Sequence, residues 1–354
     1  MGNLCYILIM ALIRFTKPTL TRKDMDAVLQ TMVDEKIGPG DRRREFVRLF
    51  STYINSKDGL ALRTFTDAFE IALKTVGLES GDTVVLSIYS PEVYEVVFRK
   101  LGLKTSLVDV DKLGLPDVDK VKEAIENENA KAFVLFEPLG QIYDDPERYR
   151  ELGIPLIEDI SESLGSIFGD DVKAGMVGDI VISSFEEEGV ISTGGGAAVV
   201  TRNAEYIEFM KKAVEKSSHY IEMADLNAAL GIVQLVKLDS TLKRRNEIYR
   251  AFLQALNQGD GHLFLSGNID FKTNGIAFPV VVNTKTMDAI NFAKKYGVTV
   301  RKSFSSAIGS RYQDKFERFP NACAALSRCL SFPIYPFLKS MDVDTIQKVL
   351  RHIG

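Results

Sequence analysis

Two acidic residues close a short apolar run at residues 156–159, Leu-Ile-Glu-Asp. A longer apolar run at residues 180–185 ends in a Ser-Phe pair and is followed by three glutamates and then a glycine run. In a parallel α/β sheet, small-molecule sites form just beyond the carboxyl ends of the strands. An acid and a hydroxyl at two strand ends, Asp159 and Ser184, therefore predict a ligand site.

The composition argues against several other classes of protein. The chain has 354 residues, of which 45% are hydrophobic, enough for a large core and about two domains. The net charge is −4 and the basic residues are scattered, which argues against nucleic-acid binding. The three histidines lack the spacing of metal ligands. Three cysteines, an odd number, argue against a disulfide framework and favour a reducing compartment, so we expect a cytoplasmic protein.

The N-terminal residues need a separate interpretation. Leu4–Ile13 is almost wholly apolar, but a membrane-spanning helix takes about twenty residues, so we expect no membrane span. No basic segment precedes this run, as a signal peptide would require. We interpret residues 1–14 as an apolar extension, with residues 1–9 outside the native protein and Met10 as the functional start; a poor signal-peptide core is the alternative.

The apolar pattern predicts strands that alternate with helices, which is typical of an α/β sheet covered on both faces. The predicted strands are 83–88, 105–110, 132–136, 155–159 and 180–185. Residues 227–256 predict one long helical stretch, whose basic middle at 243–245 is expected to face solvent. After the Gln-Gly-Asp-Gly turn the pattern becomes α+β. We therefore expect a large α/β domain at 15–258 and a small C-terminal α+β domain at 259–354.

Several short motifs carry a family resemblance, from about Phe15 to the C-terminus. They are Gly81-Asp82-Thr83-Val84, Ile157-Glu158-Asp159, Gly178-Asp179, Ala228-Ala229 with Gln234-Leu235, and Leu330-Ser331-Phe332-Pro333. Their order and spacing resemble the DegT/DnrJ/StrS family of sugar aminotransferases, which depend on pyridoxal phosphate (PLP). The resemblance implies the PLP-dependent transferase fold type I. In that fold a large domain holds a mixed, mostly parallel sheet between helices, and a small C-terminal α+β domain follows.

The resemblance also implies the cofactor PLP or its amino form PMP, and with it a set of site residues. By position, Asp159 is the implied partner of the pyridine nitrogen, and Thr66 and Ser184 are implied phosphate contacts. Glu162 takes the place of a glutamine beside the cofactor. The residues alone leave plainer alternatives open: Asp159 as the cap of a neighbouring helix, Thr66 as an ordinary helix cap, and Ser184 as a polar strand end.

The chain departs from the family pattern at the position of the lysine that carries out the family's chemistry. Gly189 stands where the family has its lysine, and no lysine occurs between Lys173 and Lys211. Glu186–Glu188 precede this position and face either the phosphate site or solvent. Without the lysine there is no covalent attachment and no lysine base, and the loss of a positioned acid–base group alone lowers a rate roughly 10²–10⁴-fold.

Other departures surround the implied site. Phe65 stands where the family's phosphate turn has glycine. Pro91 replaces the aromatic that stacks on the cofactor ring, although Tyr89 lies two residues away. Tyr220 and Glu222 take the places of an Asn-x-Arg pair that reaches across the dimer in the family.

Three functions stay open. The favoured one is a catalytically degenerate member of the family, linked to nucleotide-sugar or surface polysaccharide metabolism, that binds a nucleotide-sugar-like ligand. It would form a homodimer, or a heterodimer with an active homologue. The second is an active sugar-modifying enzyme, of aminotransferase or dehydratase type, that uses PMP or PLP without a covalent lysine and has Glu188 or Glu162 as its base. The third is an ordinary aminotransferase.

Overall fold

A computed structural model describes residues 12–215, 218–259, 261–264 and 271–353. The predicted N-terminal extension lies outside these ranges as far as residue 11, so its origin stays a prediction. Near its end, Ile13 is buried and forms a parallel bridge with Val298.

A seven-stranded sheet forms the centre of the larger part of the molecule. In spatial order its strands are β1 (Asp58–Leu62), β9 (Ala197–Thr201), β8 (Ile180–Ser184), β5 (Leu156–Asp159), β4 (Ala132–Phe136), β2 (Thr83–Ser87) and β3 (Lys104–Val108). β9 runs antiparallel to β1 and β8, and the other neighbouring pairs are parallel. The predicted mixed, mostly parallel sheet is confirmed.

Helices cover both faces of this sheet. The α-helices of the described chain, some of which lie on this sheet, are α1 (Arg22–Val33), α2 (Asp41–Tyr53), α3 (Phe65–Thr75), α4 (Val93–Leu101), α5 (Val118–Glu128), α6 (Glu147–Arg150), α7 (Ala204–Glu215), α8 (Ser218–Ile221), α9 (Asp225–Val236), α10 (Leu238–Leu256), α11 (Thr286–Lys295), α12 (Cys323–Arg328) and α13 (Ser340–Leu350). Alternate strand residues point to opposite faces. One set packs against α3, α4 and α7, and the other set packs against α2, α5 and α9. In the part of the chain that the structure describes, no helix is long and apolar enough to cross a membrane.

The long helical stretch predicted at 227–256 is two helices rather than one. α9 ends at Val236 and α10 begins at Leu238, with Lys237 between them. The prediction that the basic middle faces solvent is wrong for Arg245, which is only 3% exposed. One terminal nitrogen of Arg245 donates to the carbonyls of Gly275 and Ile334, both at 2.9 Å, and these bonds replace part of the water that the guanidinium gives up. The buried Nε has no partner among the described residues.

A four-stranded antiparallel sheet lies in the C-terminal part, in the order β10 (His262–Leu263), β12 (Phe278–Val281), β14 (Cys329–Phe332) and β13 (Arg301–Lys302). Its core also takes in Ile13 and the apolar side of α10, which come from earlier in the sequence. The domain division at residue 258 stays a prediction. A third, small sheet joins β11 (Phe271–Lys272), β6 (Ile167–Phe168) and β7 (Val172–Lys173).

The register of the parallel strands brings the candidate site together. Phe136, the last residue of β4, pairs with Asp159, the last residue of β5. Asp159 in turn pairs with Ile182, so the end of β8 at Ser184 extends beyond it. Three neighbouring strands therefore end at one edge, where a ligand site is expected in this kind of sheet.

Candidate active site

A cleft of about 460 Å³ opens at this edge of the large sheet. Asp159, Glu162 and Ser184 line it together with Gly189, as the sequence predicts, and Arg301, Lys302 and four serines line it from the C-terminal part. Thr66 does not line the cleft, although its neighbour Phe65 does. A larger and more open groove of about 860 Å³, beside α11 and the C-terminal residues, contains none of the predicted site residues.

Asp159 is almost fully buried, and three donors satisfy its carboxylate. Oδ2 accepts from the hydroxyl of Tyr94 at 2.5 Å, and Oδ1 accepts from the backbone N–H and the hydroxyl of Ser161 at 2.9 and 2.5 Å. Burial raises the pKa of Asp159, and these hydrogen bonds oppose the shift. None of these three donors is a backbone N–H group at the N-terminus of a helix. Asp159 therefore does not cap a helix of the described chain.

Tyr94 is a site residue that the sequence analysis missed. It lies on the first turn of α4, and its ring stacks on Phe65 with 5.9 Å between centroids and 11° between planes. Burial raises the pKa of Tyr94, and the charge of Asp159 adds to this effect, so the phenol stays a donor. Its position, three residues after Pro91 in a predicted first turn, was the only sequence signal for it.

Glu162 holds a proton more readily than an ordinary carboxyl group does. Its Oε2 accepts the backbone N–H of Leu139 at 2.7 Å. Burial is the main cause that raises the pKa of Glu162 to about 7; the Leu139 N–H opposes this shift, whereas the charges of Asp159 and Glu188 add to it. At neutral pH the side chain is therefore divided between its acid and carboxylate forms.

The loop after β8 does not present a side chain at Gly189. The Gly189 N–H donates to the carbonyl of Glu186 at 3.0 Å, and a β-carbon at this position would lie 2.7 Å from the carbonyl oxygen of Ile191. Glu188 forms an ion pair with Arg301, whose guanidinium lies 4.5 Å from the ring centre of Phe15. The glutamate run therefore faces the cleft in part, since Glu186 and Glu188 both line it.

The N-terminus of α3 is capped by the chain itself. The hydroxyl of Thr64, not that of Thr66, accepts the N–H of Asp67 at 3.1 Å, and it donates to the Asp67 carboxylate at 2.6 Å. Thr66 lies 3.0 Å from Thr64, hydroxyl to hydroxyl. A helix N-terminus favours an anion, and here a carboxylate of the chain already lies there.

These residues fit part of the implied cofactor and not the rest. Asp159 lines the cleft at the strand end, where the resemblance implies a partner for a pyridine nitrogen. The position of the family lysine cannot carry a side chain without a shift of the backbone. At the start of α3, where the resemblance implies a phosphate contact, this chain has the Asp67 carboxylate and the Phe65 ring. Lys302 does line the cleft, and its amine has no partner among the described residues. A cofactor attached at residue 189 does not fit.

Tyr220 and Glu222 stand in place of the Asn-x-Arg pair that reaches across the dimer in the family. Glu222 forms an ion pair of 2.7 Å with Arg43 of the same chain, and both side chains are mostly buried. Tyr220 is 84% exposed.

Among the described residues, no cluster of histidine, cysteine or acidic side chains has the geometry of a metal site.

Comparison with known proteins gives relatives across nearly the whole chain. It is 25% identical to the spore coat polysaccharide biosynthesis protein SpsC of Bacillus subtilis, with 96% of each chain covered. It is 27% identical to the UDP-4-amino-4,6-dideoxy-N-acetyl-beta-L-altrosamine transaminase of Campylobacter jejuni, over 67% of this chain and 68% of the relative.

Solved structures share the fold. The Streptococcus pneumoniae protein Spr1654, described as a sugar aminotransferase, matches in its PLP form with a TM-score of 0.85 and 20% identity, over 96% of this chain and 98% of that one. Its PMP form matches with a TM-score of 0.84 and 21% identity, over 96% and 97%. The E. coli GDP-4-keto-6-deoxy-D-mannose-3-dehydratase with bound hydrated PLP matches with a TM-score of 0.83 and 16% identity, over 96% and 100%.

These neighbours confirm the predicted PLP-dependent fold. They also place PLP or PMP, the cofactors expected from the sequence, in structures of the same fold. A model of the DegT/DnrJ/EryC1/StrS aminotransferase family matches residues 18–351, nearly the whole chain. This protein therefore belongs to the DegT/DnrJ/EryC1/StrS aminotransferase family, whose relatives act in polysaccharide and nucleotide-sugar biosynthesis.

Proposed function

We propose that this protein binds a nucleotide-sugar-type ligand in its cleft and does not act as a lysine-dependent aminotransferase. The observation that carries the proposal is Gly189, at the family's lysine position, because a β-carbon there would meet the Ile191 carbonyl at 2.7 Å. Asp67 at the start of α3 and Glu186 in the cleft also disfavour a phosphate in the position that the family uses.

The class of ligand follows from the family and from the composition of the cleft. The Campylobacter relative is named for a UDP-linked amino sugar, and the E. coli neighbour for a GDP-linked keto sugar. In this chain, four serines on one wall offer hydroxyl groups, and three phenylalanines, Phe15, Phe65 and Phe136, offer apolar surface. A hydroxylated ring with an apolar face suits such a mixture of polar and apolar contacts.

The alternative is an enzyme that holds PMP or free PLP without a covalent lysine, with Glu162 or Glu188 as the base. The buried Asp159 favours it, since this carboxylate remains at the position that the family uses for the pyridine nitrogen. Lys302 is a second reason to test it, because it lines the same cleft and its amine has no partner within the described part of the chain.

The test is a titration of the purified protein with PLP, PMP, and UDP- and GDP-linked 4-keto-6-deoxy sugars. Cofactor absorption and thermal unfolding are followed together, because a bound ligand raises the melting temperature. We expect the nucleotide sugars to raise the melting temperature and neither cofactor to saturate. Saturable PMP binding with a new absorption band would move the assignment to the lysine-free enzyme.

Borohydride reduction followed by peptide mapping completes this test. An adduct on Lys302 after incubation with PLP would mean that a lysine from the opposite wall takes the missing role, and the proposal would be wrong. Lys302→Arg removes that amine and keeps the charge, so it is the control for any adduct found. Asp159→Asn tests whether a bound cofactor uses the implied pyridine partner.

We further propose that the chain forms a homodimer, or a heterodimer with an active homologue, in the cytoplasm. Support for a partner comes from α1, which buries Asp24 and Thr31 and exposes an apolar stripe of Met25, Leu29, Met32 and Val33. Monomeric proteins rarely expose large continuous apolar patches. Sedimentation of a dilute sample as a monomer, in the presence and absence of the homologue, would contradict this proposal.

A further inference from the structure

Glu162 has the geometry of a group that can take up and release a proton in the cleft. Its Oε2 is fixed at 2.7 Å by the N–H of Leu139. Its other oxygen, Oε1, has no hydrogen-bond partner among the described residues, and the side chain lines the cleft. One oxygen therefore anchors the carboxyl group while the other stays free for a ligand.

Leu139, whose N–H group holds Glu162, has an unusual backbone conformation. Leu139 has a φ of 54° and a ψ of 30°, in the left-handed region that non-glycine residues rarely adopt. The following residue, Gly140, lies against Thr273 and Asn274, and the amide of Asn274 donates to the carbonyl of Glu162 at 2.8 Å. Contacts with residues 273–274 and with Glu162 thus hold the backbone at Leu139 in this conformation. Strained backbone of this kind is common at functional sites.

The two carboxyl groups of the cleft differ in a way that suits acid–base chemistry. Asp159 has three hydrogen-bond donors, whereas Glu162 has one and lies near the charges of Asp159 and Glu188. The charge of Glu188 is itself paired with Arg301, and Lys302, which lines the opposite wall, has no partner for its amine among the residues that the structure describes. In enzymes, environments that push the pKa values of two carboxyl groups apart in this way indicate which group acts as the acid and which as the base.

We propose that Glu162 is the proton-transfer residue of this cleft and that the protein exchanges the proton next to the carbonyl of a keto sugar without any cofactor. The Glu162 carboxylate takes the proton from carbon, and the C–H electron pair moves into the carbonyl group to give an enolate. The protonated Glu162 then returns a proton to the same carbon. Nothing is oxidised or reduced, and the Lys302 ammonium balances the charge of the enolate.

This inference rests on the proposed nucleotide-sugar ligand, and one experiment separates the two. The protein, with no added cofactor, is incubated in D₂O with a GDP- or UDP-linked 4-keto-6-deoxy sugar. Deuterium at the carbon next to the carbonyl is followed by mass spectrometry and NMR. Binding of the same compound is measured independently by equilibrium dialysis.

We expect the protein to accelerate exchange over the solution without protein, with a rate that rises through a pH of about 7 as Glu162 ionises. Glu162→Gln keeps an acceptor for the Leu139 N–H and is expected to bind the sugar but to exchange roughly 10²–10⁴-fold more slowly. Glu187→Gln is the matched control, because Glu187 is exposed and does not line the cleft.

Three outcomes would overturn the inference. Binding without accelerated exchange, or equal exchange by the wild type and Glu162→Gln, refutes the role of Glu162 and leaves the proposed ligand in place. No binding of either sugar refutes the ligand as well as the inference.

Discussion

At the scale of single residues, Glu158 on β5 forms a buried pair of carboxyl groups with Glu137, which follows β4. Glu158 accepts three backbone N–H groups, those of Gly175, Val177 and Gly178 at 2.7 to 2.8 Å, and the hydroxyl of Tyr143 at 2.9 Å. These four donors satisfy both oxygens of the Glu158 side chain.

Glu137 is the neutral member. It is fully buried and accepts the hydroxyl of Ser163, and its Oε1 has no donor. Burial raises the pKa of Glu137 well above its usual value, and the negative charge of Glu158 adds to the rise. An oxygen without a donor, next to a carboxylate, fits a protonated acid that itself donates toward Glu158.

We expect Glu137→Gln to stabilise the protein, and increasingly so as the pH rises. In the unfolded chain Glu137 ionises near pH 4.3, whereas the folded protein keeps it protonated, so the wild type loses stability above that pH and up to the raised folded pKa. Glutamine stays neutral in both states and avoids the loss, a difference of about 1–3 kcal/mol for a buried group.

Thermal unfolding at pH 5 and at pH 8 checks this prediction. Glu187→Gln, an exposed glutamate-to-glutamine change, should shift the melting temperature little and equally at both values. A Glu137→Gln variant that is less stable than the wild type at pH 8 would contradict the neutral assignment.

The residues of the site illustrate what the sequence could and could not predict. Asp159, Glu162, Ser184 and Gly189 could be assigned to one cleft because strand ends and motif spacing are local signals. Tyr94 could not, because its bond to Asp159 joins positions 65 residues apart. Neither could the shift of the helix cap from Thr66 to Thr64, which depends on the backbone at the start of α3.

At the scale of elements, the periodic pattern of apolar residues predicts some helices and strands, whereas those that depend on long-range packing could not be predicted. The alternation of strands and helices from 83 to 185 was predictable because most of the parallel strands are buried and polar turns bound them. β1 was not predicted, because its five residues, Asp-Gly-Leu-Ala-Leu, are short and carry poor strand formers at the start. The break at Lys237 has no helix-stop residue, so periodicity alone joined α9 to α10.

The burial of Arg245 on α10 leads to a prediction for that helix. Burial lowers the pKa of Arg245 to about 10, so the side chain remains charged at neutral pH and keeps its bonds to Gly275 and Ile334. Arg245→Leu leaves both carbonyls without a donor, and we expect a loss of about 2–4 kcal/mol in the free energy of unfolding.

Arg244→Leu provides the matched control on the same helix. Arg244 is half-exposed and pairs with Glu247 one turn away, an arrangement that contributes less than about 1 kcal/mol. Denaturant unfolding of the two variants measures both values. Equal losses in the two variants would mean that the buried guanidinium does not hold the segments around residues 275 and 334.

At the scale of the whole molecule, one ion pair joins two parts of the chain that border the cleft. Arg301 on β13 pairs with Glu188 in the loop after β8 and lies against the ring of Phe15 in the N-terminal segment. Both charged side chains are about half-exposed, so their pairing contributes little to global stability. What it does contribute is a local connection between the loop and the C-terminal sheet.

We therefore expect Arg301→Gln to loosen the loop at 186–196 without unfolding the protein. The free energy of unfolding should change by less than about 1 kcal/mol, while the amide hydrogens of the loop exchange faster, because local opening is governed by local contacts. Hydrogen exchange read by mass spectrometry measures the loop, and thermal unfolding measures the whole. Arg311→Gln is the control, since Arg311 pairs with Glu95 outside the cleft at similar exposure. Unchanged exchange in Arg301→Gln would show that the loop is held by its own turn, with its Gly189-to-Glu186 hydrogen bond, rather than by the opposite wall.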